Sequence, residues 1–143
     1  DPDTAQVIAG ARRATRGAGA RELLDTRRAI LAGKLPTPLL AGTNTTIGVI
    51  ATDAVISKAQ ANKLAQMGHD GLARSINPVH TMSDGDTLFM LGTGASGRSV
   101  GMMTLGTLVC EAVARAVVQA ALHAQAITVD GLMLPAATDL RAG

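Results

Sequence analysis

Aromatic side chains are almost absent from this 143-residue sequence, which has one Phe and neither Tyr nor Trp. Proteins that bind single-stranded nucleic acid stack its bases on aromatic rings, so this class of function is disfavoured. The core must instead be built from Ala, Leu, Val, Ile and Met, and a hydrophobic content of 47% is sufficient for one folded domain. We therefore expect a globular chain with an aliphatic core and no nucleic-acid partner.

Cysteine and net charge are also scarce. The single cysteine, Cys110, excludes an internal disulfide and any cysteine-based metal motif. It falls in an apolar helical pattern, which is typical of a small core residue rather than of a reactive thiol. The formal net charge of +2 is too small to indicate a polyanionic partner. Because the cysteine usage is consistent with a reducing compartment and no targeting segment is present, we expect a cytoplasmic protein.

A polar turn that runs directly into an apolar strand is the most informative segment. Residues 43–46, Thr-Asn-Thr-Thr, precede Ile47, and the β-branched residues that follow predict a strand buried on at least one face. A hydroxyl at this junction is fixed on the strand side and accessible on the loop side. Threonine is a weak nucleophile unless a base activates it, and the α-amino group of an N-terminal threonine is one such base. The segment is either a common polar turn or a nucleophile freed by chain cleavage.

Self-cleavage of the chain would expose that amine. In an uncut chain the threonine hydroxyl can attack the carbonyl of the preceding residue, and hydrolysis of the resulting ester frees the nitrogen. The preferred bond is Asn44–Thr45, because Thr45 is the last residue before the alternating apolar pattern and asparagine tolerates the backbone angles of a strained turn. Gly42–Thr43 is the second choice.

A second strand entrance carries two carboxylates. Asp84 and Asp86 flank Gly85, and an apolar strand pattern follows. Such a pair could hold the Thr45 amine in register, polarise its hydroxyl, or share a proton with a raised pKa. The alternatives are a simple turn and a divalent-cation site, for which the sequence offers no further oxygen ligands nearby. His80 is a weaker candidate, as a residue that orients the others.

Helical patterns occupy much of the remaining sequence. Ser57 and Gln60 form a capping-box pattern, and apolar spacing continues the helix that they open to about residue 78. The longest helix is expected over 103–124, where a polar stripe and charges at its middle exclude a membrane span. A shorter helix is expected at 20–32.

Motifs of other functional classes are weak. Six arginines lie between residues 11 and 33, but their glycine-rich frame favours a solvated surface over a nucleic-acid reader. The glycine-rich segment 92–97 precedes a helix, yet it lacks the Gly-Lys-Thr ending and the spacing of a phosphate cradle, so we predict a mobile loop. His69 and Asp70 are neighbours on a helix and point in different directions, which favours exposed or structural roles.

Five short motifs occur together in one order. They are Asn-Thr-Thr-Ile at 44–47, Ala-Thr-Asp-Ala at 51–54, His-Asp-Gly-Leu-Ala-Arg at 69–74, Pro-Val-His-Thr at 78–81 and Asp-Gly-Asp-Thr-Leu-Phe at 84–89. In this order and spacing they resemble the S58 peptidase family of N-terminal-nucleophile hydrolases, which includes D-aminopeptidase/D-esterases, β-peptidyl aminopeptidases and nylon-oligomer hydrolases. The first and last motifs are most similar to the nylon-oligomer (6-aminohexanoate oligomer) hydrolases, in which cleavage falls between the Asn and the first Thr.

The resemblance implies an autocleaved amide hydrolase with a layered α-β-β-α sandwich of the aminopeptidase/ornithine-acetyltransferase type, to which this α/β chain contributes a part. Residues 1–44 would be the C-terminal part of the larger (alpha) subunit, and residues 45–143 the smaller (beta) subunit that begins with the nucleophile. Thr45 would attack the amide carbonyl, and Asp84 and Asp86 would orient and tune its amine. The implied partners are the rest of the larger subunit, a short peptide, β-peptide or amide-oligomer substrate, and further alpha-beta units in a homo-oligomer.

Two other functions remain open from the sequence. An acyltransferase would use the same Thr45 nucleophile and pass the acyl group to an amine, as ornithine acetyltransferases of similar fold do. A non-catalytic assembly subunit would use neither the hydroxyl nor the carboxylates. No oxyanion donor can be identified in the sequence, and the resemblance implies that the larger subunit supplies them. We expect no cofactor, no metal ion and no membrane partner.

Overall fold

The computed structural model describes residues 1–12, 23–34 and 44–140. In chain order its elements are α1 (Thr26–Leu31), β1 (Ile47–Thr52), α2 (Lys58–Ser75), β2 (Thr87–Gly92), α3 (Met102–His123), β3 (Ile127–Val129), β4 (Leu132–Leu134) and α4 (Ala137–Leu140). This mixture of helices and strands agrees with the predicted α/β class.

The chain divides into two compact units. One comprises Asp1–Leu35 with Ala116–Gly143, and the other comprises Pro36–Arg115. Every predicted site residue lies in the second unit, which contains β1, α2, β2 and the first part of α3. The predicted division of the chain into subunits after residue 44 stays a prediction.

A parallel strand pair forms the centre of the second unit. β1 and β2 lie side by side in parallel, with residues 47–52 opposite residues 87–92. A parallel pair needs a crossover connection, and α2 provides it. The pairing continues upstream of both strands through a bridge between Asn44 and Asp84. The two strand entrances that the sequence singled out are therefore neighbours.

The helices α2 and α3 cover one face of this strand pair. The core of the unit consists of buried side chains from both helices and the loop after β1, and partly buried side chains of the strands, of that loop and of the start of α3 pack against it. The buried residues are Ala54, Leu64, Leu105 and Val109, and the partly buried ones are Ile50, Ile56, Met90 and Met102. All of these side chains are aliphatic or Met, as the near absence of aromatic residues requires.

Two glycines of α2 permit this close packing. A Cβ added at Gly68 would approach side-chain atoms of Ile50 and Leu88 to 2.8 Å, and one at Gly71 would approach the Cys110 carbonyl oxygen to 2.6 Å. Glycine in a helix interior costs about 1 kcal/mol relative to alanine. In return, α2 approaches the strand pair at Gly68, and α3 at Gly71, more closely than a larger residue at either position would allow.

The opposite face of the strand pair is apolar and exposed. The exposed fractions are 71% for Ile47, 69% for Val49, 56% for Phe89 and 54% for Leu91. Successive strand side chains alternate between the two faces, so these residues point away from α2 and α3. Exposed apolar surfaces of this kind mark positions where a further layer or partner binds.

Local signals set the ends of α2. The Ser57 hydroxyl accepts a hydrogen bond from the Gln60 amide, and the Gln60 side chain accepts one from the Ser57 amide, so the predicted capping box is confirmed. The helix ends at Ser75 rather than near residue 78. Pro78 disfavours helical backbone in the residue before it, which accounts for the earlier end.

The helix α1 is shorter than predicted. It begins at Thr26, where the Asp25 side chain accepts a hydrogen bond of 2.8 Å from the Arg28 amide. The start expected at residue 20 was therefore wrong for the described residues 23–25, because Asp25 is a better N-cap than an interior helix residue. Residues 13–22, which include several of the clustered arginines, lie outside the described residues.

The helix α3 is 22 residues long and, by length and composition, apolar enough to cross a membrane. Core helices of soluble proteins meet the same criterion, and 28% of its apolar window is buried. At its middle Glu111 forms an ion pair with Arg74 of α2. The exclusion of a membrane span therefore stays a prediction based on these charges.

Cys110 lies on α3 where it faces α2. Its thiol donates a hydrogen bond of 3.1 Å to the Met67 carbonyl oxygen. Burial, with the negative charge of Asp70 adding to it, raises the pKa of the Cys110 thiol. This environment is that of a packed thiol rather than of a reactive thiolate.

The glycine-rich segment before α3 is a loop. Ser96 donates two hydrogen bonds to the Asp53 carbonyl oxygen, 3.0 Å from its amide and 2.9 Å from its hydroxyl. The loop is thus fastened to the segment that follows β1.

The first unit contains a β-hairpin. β3 and β4 pair antiparallel, and Asp130 and Gly131 connect them with φ angles of 49° and 76°. Two consecutive positive φ angles are typical of the tight turns that join adjacent strands, and Asp-Gly is a favoured pair for such turns.

Candidate active site

The bridge between the two strand entrances determines the geometry of the candidate site. Asn44 lies opposite Asp84, and the Gly85 amide donates a hydrogen bond of 2.8 Å to the Asn44 carbonyl oxygen. Thr45 is therefore next to Gly85, and the following residue is next to Asp86. The structure thus brings Asn44 and Thr45 next to Asp84 and Asp86, which lie about 40 positions later in the chain.

The Thr45 side chain is exposed at the start of β1 and lies against Gly85. A Cβ added at Gly85 would approach Thr45 Oγ1 to 2.9 Å. The hydroxyl thus occupies space that a side chain at position 85 would fill. The Thr45 amide makes no hydrogen bond to another described residue. Gly42 and Thr43, the second-choice cleavage bond, lie outside the described residues.

Asp84 stabilises the turn that leads into β2. Its Oδ2 accepts a hydrogen bond of 2.6 Å from the Thr81 amide, and its own amide donates one of 3.1 Å to the Thr81 carbonyl oxygen. One carboxylate oxygen of Asp84 is therefore engaged with the main chain. This contact fits the simple-turn interpretation of Asp84 and also fixes the position of Gly85.

Asp86 connects the two strand entrances through its side chain, which is only 5% exposed. Its Oδ1 accepts a hydrogen bond of 2.9 Å from the Thr46 amide. In a regular parallel ladder that amide would donate to a main-chain carbonyl, so the carboxylate replaces one rung of the ladder. Its Oδ2 lies 2.8 Å from His80 Nδ1 and has no hydrogen bond of regular geometry to a described residue.

The environment of Asp86 favours its ionised form. Burial acts to raise the pKa of Asp86, but hydrogen bonding from Thr46 and the contact and charge of His80 outweigh burial and hold the pKa below its ordinary value of 3.8. A carboxylate that shares a proton with Asp84 would have a raised pKa. That alternative was therefore wrong, and Asp86 is an anion at neutral pH.

His80 occupies an unusual backbone conformation beside the site. Its φ of 55° lies in the left-handed region, which costs a residue other than glycine about 1–2 kcal/mol. Its Nε2 lies 3.3 Å from Nδ1 of His69, and the two rings are tilted by 54° with centroids 4.8 Å apart. Of the two histidines, His80, which the sequence offered as a weaker candidate, is the one in contact with Asp86.

The connection of His69 to the site was missed by the sequence analysis. His69 was expected to have an exposed or structural role; it is half-buried and contacts His80, the histidine that lies against Asp86. The contact arises because the chain reverses direction after α2. No regular spacing in the sequence predicts this reversal. The one available signal for the contact was the presence of two histidines, His69 and His80, in the same part of the sequence.

A metal site has no support from the described residues. Within 1–12, 23–34 and 44–140, no group of three or more His, Cys, Asp or Glu side chains could hold a metal ion. The divalent-cation alternative for Asp84 and Asp86 requires such a group, because Ca²⁺ and Mg²⁺ take several oxygen ligands. The arrangement instead offers one exposed hydroxyl, one buried anion and a main-chain amide that donates to the Asn44 carbonyl.

Comparison with known proteins matches most of the chain to one family. The family model described as Peptidase family S58 matches residues 5–133. An uncharacterized aminopeptidase of Mycobacterium leprae (strain TN) is 42% identical over 107 residues, which cover 66% of this chain and 29% of that protein. A 6-aminohexanoate-oligomer endohydrolase of Kocuria sp. (strain KY2) is 36% identical over 126 residues, which cover 80% of this chain and 35% of that protein.

A second protein with the name 6-aminohexanoate-oligomer endohydrolase, from Paenarthrobacter ureafaciens, is 37% identical over 94 residues, which cover 58% of this chain and 26% of that protein. The chain therefore spans about a third or less of the length of these curated relatives. The family model that matches the chain is that of the family that the five sequence motifs resemble.

Proposed function

Because this chain belongs to peptidase family S58, as the motifs predicted, we propose that it carries the nucleophile of an autocleaved N-terminal-threonine amide hydrolase. Relatives named as an aminopeptidase and as 6-aminohexanoate-oligomer endohydrolases support a substrate with amide bonds. The observation that carries the proposal is the position of Thr45. Its hydroxyl lies against Gly85, the residue between Asp84 and Asp86, and Asp84 forms the parallel bridge with Asn44.

Chain cleavage at Asn44–Thr45 is the first step of the proposed mechanism. Thr45 Oγ attacks the Asn44 carbonyl carbon, the hydroxyl proton passes to the Thr45 nitrogen, and the C–N bond breaks to leave an ester. Water then hydrolyses the ester to give a carboxyl group at Asn44 and a free amine at Thr45. The Gly85 amide supports the first step, because it already donates to the carbonyl oxygen on which negative charge develops.

Hydrolysis of the substrate uses the freed amine as the base. The amine accepts the hydroxyl proton of Thr45 while Oγ attacks the amide carbonyl of the substrate, and it then returns a proton to the leaving nitrogen. The anion Asp86 favours the positively charged form of the amine between these two transfers. It also fixes the Thr46 amide, and with it the peptide that carries the nucleophile.

The remaining layer of the fold is proposed to come from the rest of the larger subunit. The exposed apolar face of β1 and β2 supports an α-β-β-α sandwich, because a second sheet would bury it. Residues 1–44 would then end the larger subunit, and residues 45–143 would form the smaller one. The larger subunit would supply the oxyanion donors for the substrate, and alpha-beta units would assemble as a cytoplasmic homo-oligomer.

The test is Thr45→Ala in the complete natural protein, with Thr43→Ala as the matched control. Intact-mass analysis should give an uncut chain for Thr45→Ala, and hydrolysis of 6-aminohexanoate oligomers and short peptides should be lost. Thr43→Ala should be cut at Asn44–Thr45 and remain active. A cut and active Thr45→Ala protein would refute the proposal. Product analysis with an added amine acceptor distinguishes hydrolysis from acyl transfer, and an uncut, inactive wild-type protein would favour an assembly subunit.

A further inference from the structure

We propose that His80 is a positioning residue that holds Asp86, and through Asp86 the Thr45–Thr46 peptide, with His69 as the partner that orients the His80 ring. The proposal rests on the assignment of Thr45 as the nucleophile. It concerns a residue that does not touch the reacting atoms, and so it predicts effects on the state of Asp86 as well as on the rate.

Four groups form a continuous row of contacts toward the nucleophile. His69 Nδ1 lies 3.3 Å from His80 Nε2, and His80 Nδ1 lies 2.8 Å from Asp86 Oδ2. Asp86 Oδ1 accepts the hydrogen bond of 2.9 Å from the Thr46 amide. One carboxylate oxygen therefore accepts a hydrogen bond from the peptide next to Thr45, and the other lies in contact with the histidine ring. Rotation of the carboxylate would break the hydrogen bond from the Thr46 amide and move Oδ2 away from the His80 ring.

Asp86 Oδ2 depends on His80 for its partner. The Asp86 side chain is 5% exposed, and Oδ2 has no hydrogen bond of regular geometry among the described residues. Removal of the ring would take away the positively polarised group that lies 2.8 Å from this buried oxygen. The carboxylate would respond by rotating or by taking up a proton. Either response would release the Thr46 amide from its fixed position.

The contacts also determine which ring atoms carry protons. A proton on His80 Nδ1 would make its contact with an ionised Asp86 attractive. When His80 is neutral, its Nε2 can accept a hydrogen bond from His69 Nδ1. When His80 is a cation, its Nε2 can donate a hydrogen bond to that nitrogen. If both rings were cations, both facing nitrogens would carry hydrogen atoms and repel each other.

The titratable groups around the His80 ring come from two parts of the unit. His69 faces it from α2, and Asp86 faces it from the entrance to β2. Asp84 belongs to the same loop, but its Oδ2 accepts from the Thr81 amide. The positive charge of His80 therefore acts mainly on Asp86, which is the anion in contact with it.

The backbone at His80 supports a role for the ring itself. Its φ of 55° is a conformation that glycine adopts more readily than histidine. Non-glycine residues in this region are concentrated at functional sites, where surrounding contacts hold them. At position 80, glycine would fit the backbone but could not reach Asp86.

Two substitutions separate the ring from the backbone. His80→Gly keeps the left-handed conformation and removes the ring. His80→Asn also tolerates the conformation, and its amide nitrogen lies where the imidazole Nδ1 was, so it retains a neutral donor for Asp86 but loses the charge and the contact with His69. His123→Ala, at the end of α3, is the control for loss of an exposed histidine.

The first measurement is the pKa of Asp86 by ¹³C NMR of its carboxyl carbon in the complete protein. Removal of His80 takes away its contact with Asp86 and its charge, the two influences of this residue that lower the pKa of Asp86, so the pKa should rise. We expect a rise of about one unit or more for His80→Gly, a smaller rise for His80→Asn and none for His123→Ala. The same titration in the Thr45→Ala background tests the positioning contact even if Thr45 is not the nucleophile.

The second measurement is the pH dependence of amide hydrolysis. His80→Gly should lower kcat by about 10-fold to 100-fold with little change in KM, and should move the acid limb of kcat/KM to higher pH. Added imidazole should restore part of the activity of His80→Gly. His80→Asn should fall between His80→Gly and wild type.

Several outcomes would overturn the proposal. An Asp86 pKa and a kcat within about twofold of wild type in His80→Gly would show that the ring does not position the carboxylate. If His80→Gly does not fold, His80→Asn decides, and a wild-type pH profile and Asp86 pKa in that variant would assign His80 to the structure of the loop alone. Loss of activity in His80→Gly with an unchanged Asp86 pKa would have the same meaning.

Discussion

A single methyl group at position 85 should disable Thr45 without unfolding the chain. In Gly85→Ala the new Cβ would lie 2.9 Å from Thr45 Oγ1. Non-bonded carbon atoms have their optimal separation at about 3.5–4.0 Å, and an oxygen approaches only slightly closer, so the contact is repulsive. The hydroxyl must then shift by about half an ångström or leave its rotamer, at a cost of about 1 kcal/mol.

The effect of Gly85→Ala on function should exceed its effect on stability. Gly85 is exposed and its φ lies outside the left-handed region, so alanine fits the backbone. We expect the free energy of unfolding to change by less than about 1 kcal/mol. A displaced nucleophile can lose about 10²-fold in rate, and we expect chain cleavage and hydrolysis to slow by about 10-fold to 100-fold.

The assay follows chain cleavage by intact mass after expression of the complete protein, then hydrolysis by the cleaved fraction. Gly101→Ala is the matched control, because Gly101 is also exposed and a Cβ there would meet no atom within 4 Å. Wild-type rates of cleavage and hydrolysis in Gly85→Ala would refute the assigned position of the Thr45 hydroxyl. Equal losses in the two variants would show that the effect is not specific to this contact.

Asp86→Asn should retain part of the chain cleavage, because the amide oxygen of asparagine can still accept a hydrogen bond from the Thr46 amide. Hydrolysis of the substrate should be slower. Intact-mass analysis tests the first outcome and kinetic measurement tests the second. The pKa of Asp86 is lower in the folded than in the unfolded state, so its stabilisation is complete above about pH 4 and is lost as pH falls through the folded value. Urea unfolding at about pH 6 and pH 3 should therefore show the stability difference between wild type and Asp86→Asn shrinking in acid, and a constant difference would contradict the shift. Gly71→Ala should lower the free energy of unfolding by about 1–3 kcal/mol, because its Cβ would meet the Cys110 carbonyl oxygen at 2.6 Å. Gly106→Ala, which would meet only the mobile end of the Met67 side chain, should cost less in the same denaturation experiment.

The sequence by itself determined the local features of the site. The change from polar to apolar residues at Thr45, and the Asp-Gly-Asp turn before β2, were both readable, because alternation along a strand is a property of neighbouring residues. The capping box at Ser57 was readable for the same reason. The family followed from five motifs in one order, and the match over residues 5–133 confirmed it.

Only the tertiary structure decided how these features meet. The bridge of Asn44 with Asp84 fixes a parallel register between segments about 40 residues apart, and neither segment by itself identifies the other as its partner. The contacts of Asp86 with Thr46 and His80 follow from that register and from the reversal of the chain after α2, and they hold the pKa of Asp86 below its ordinary value although burial acts to raise it. Electrostatic environment depends on neighbours in space, so it becomes known only when the fold has brought those neighbours together.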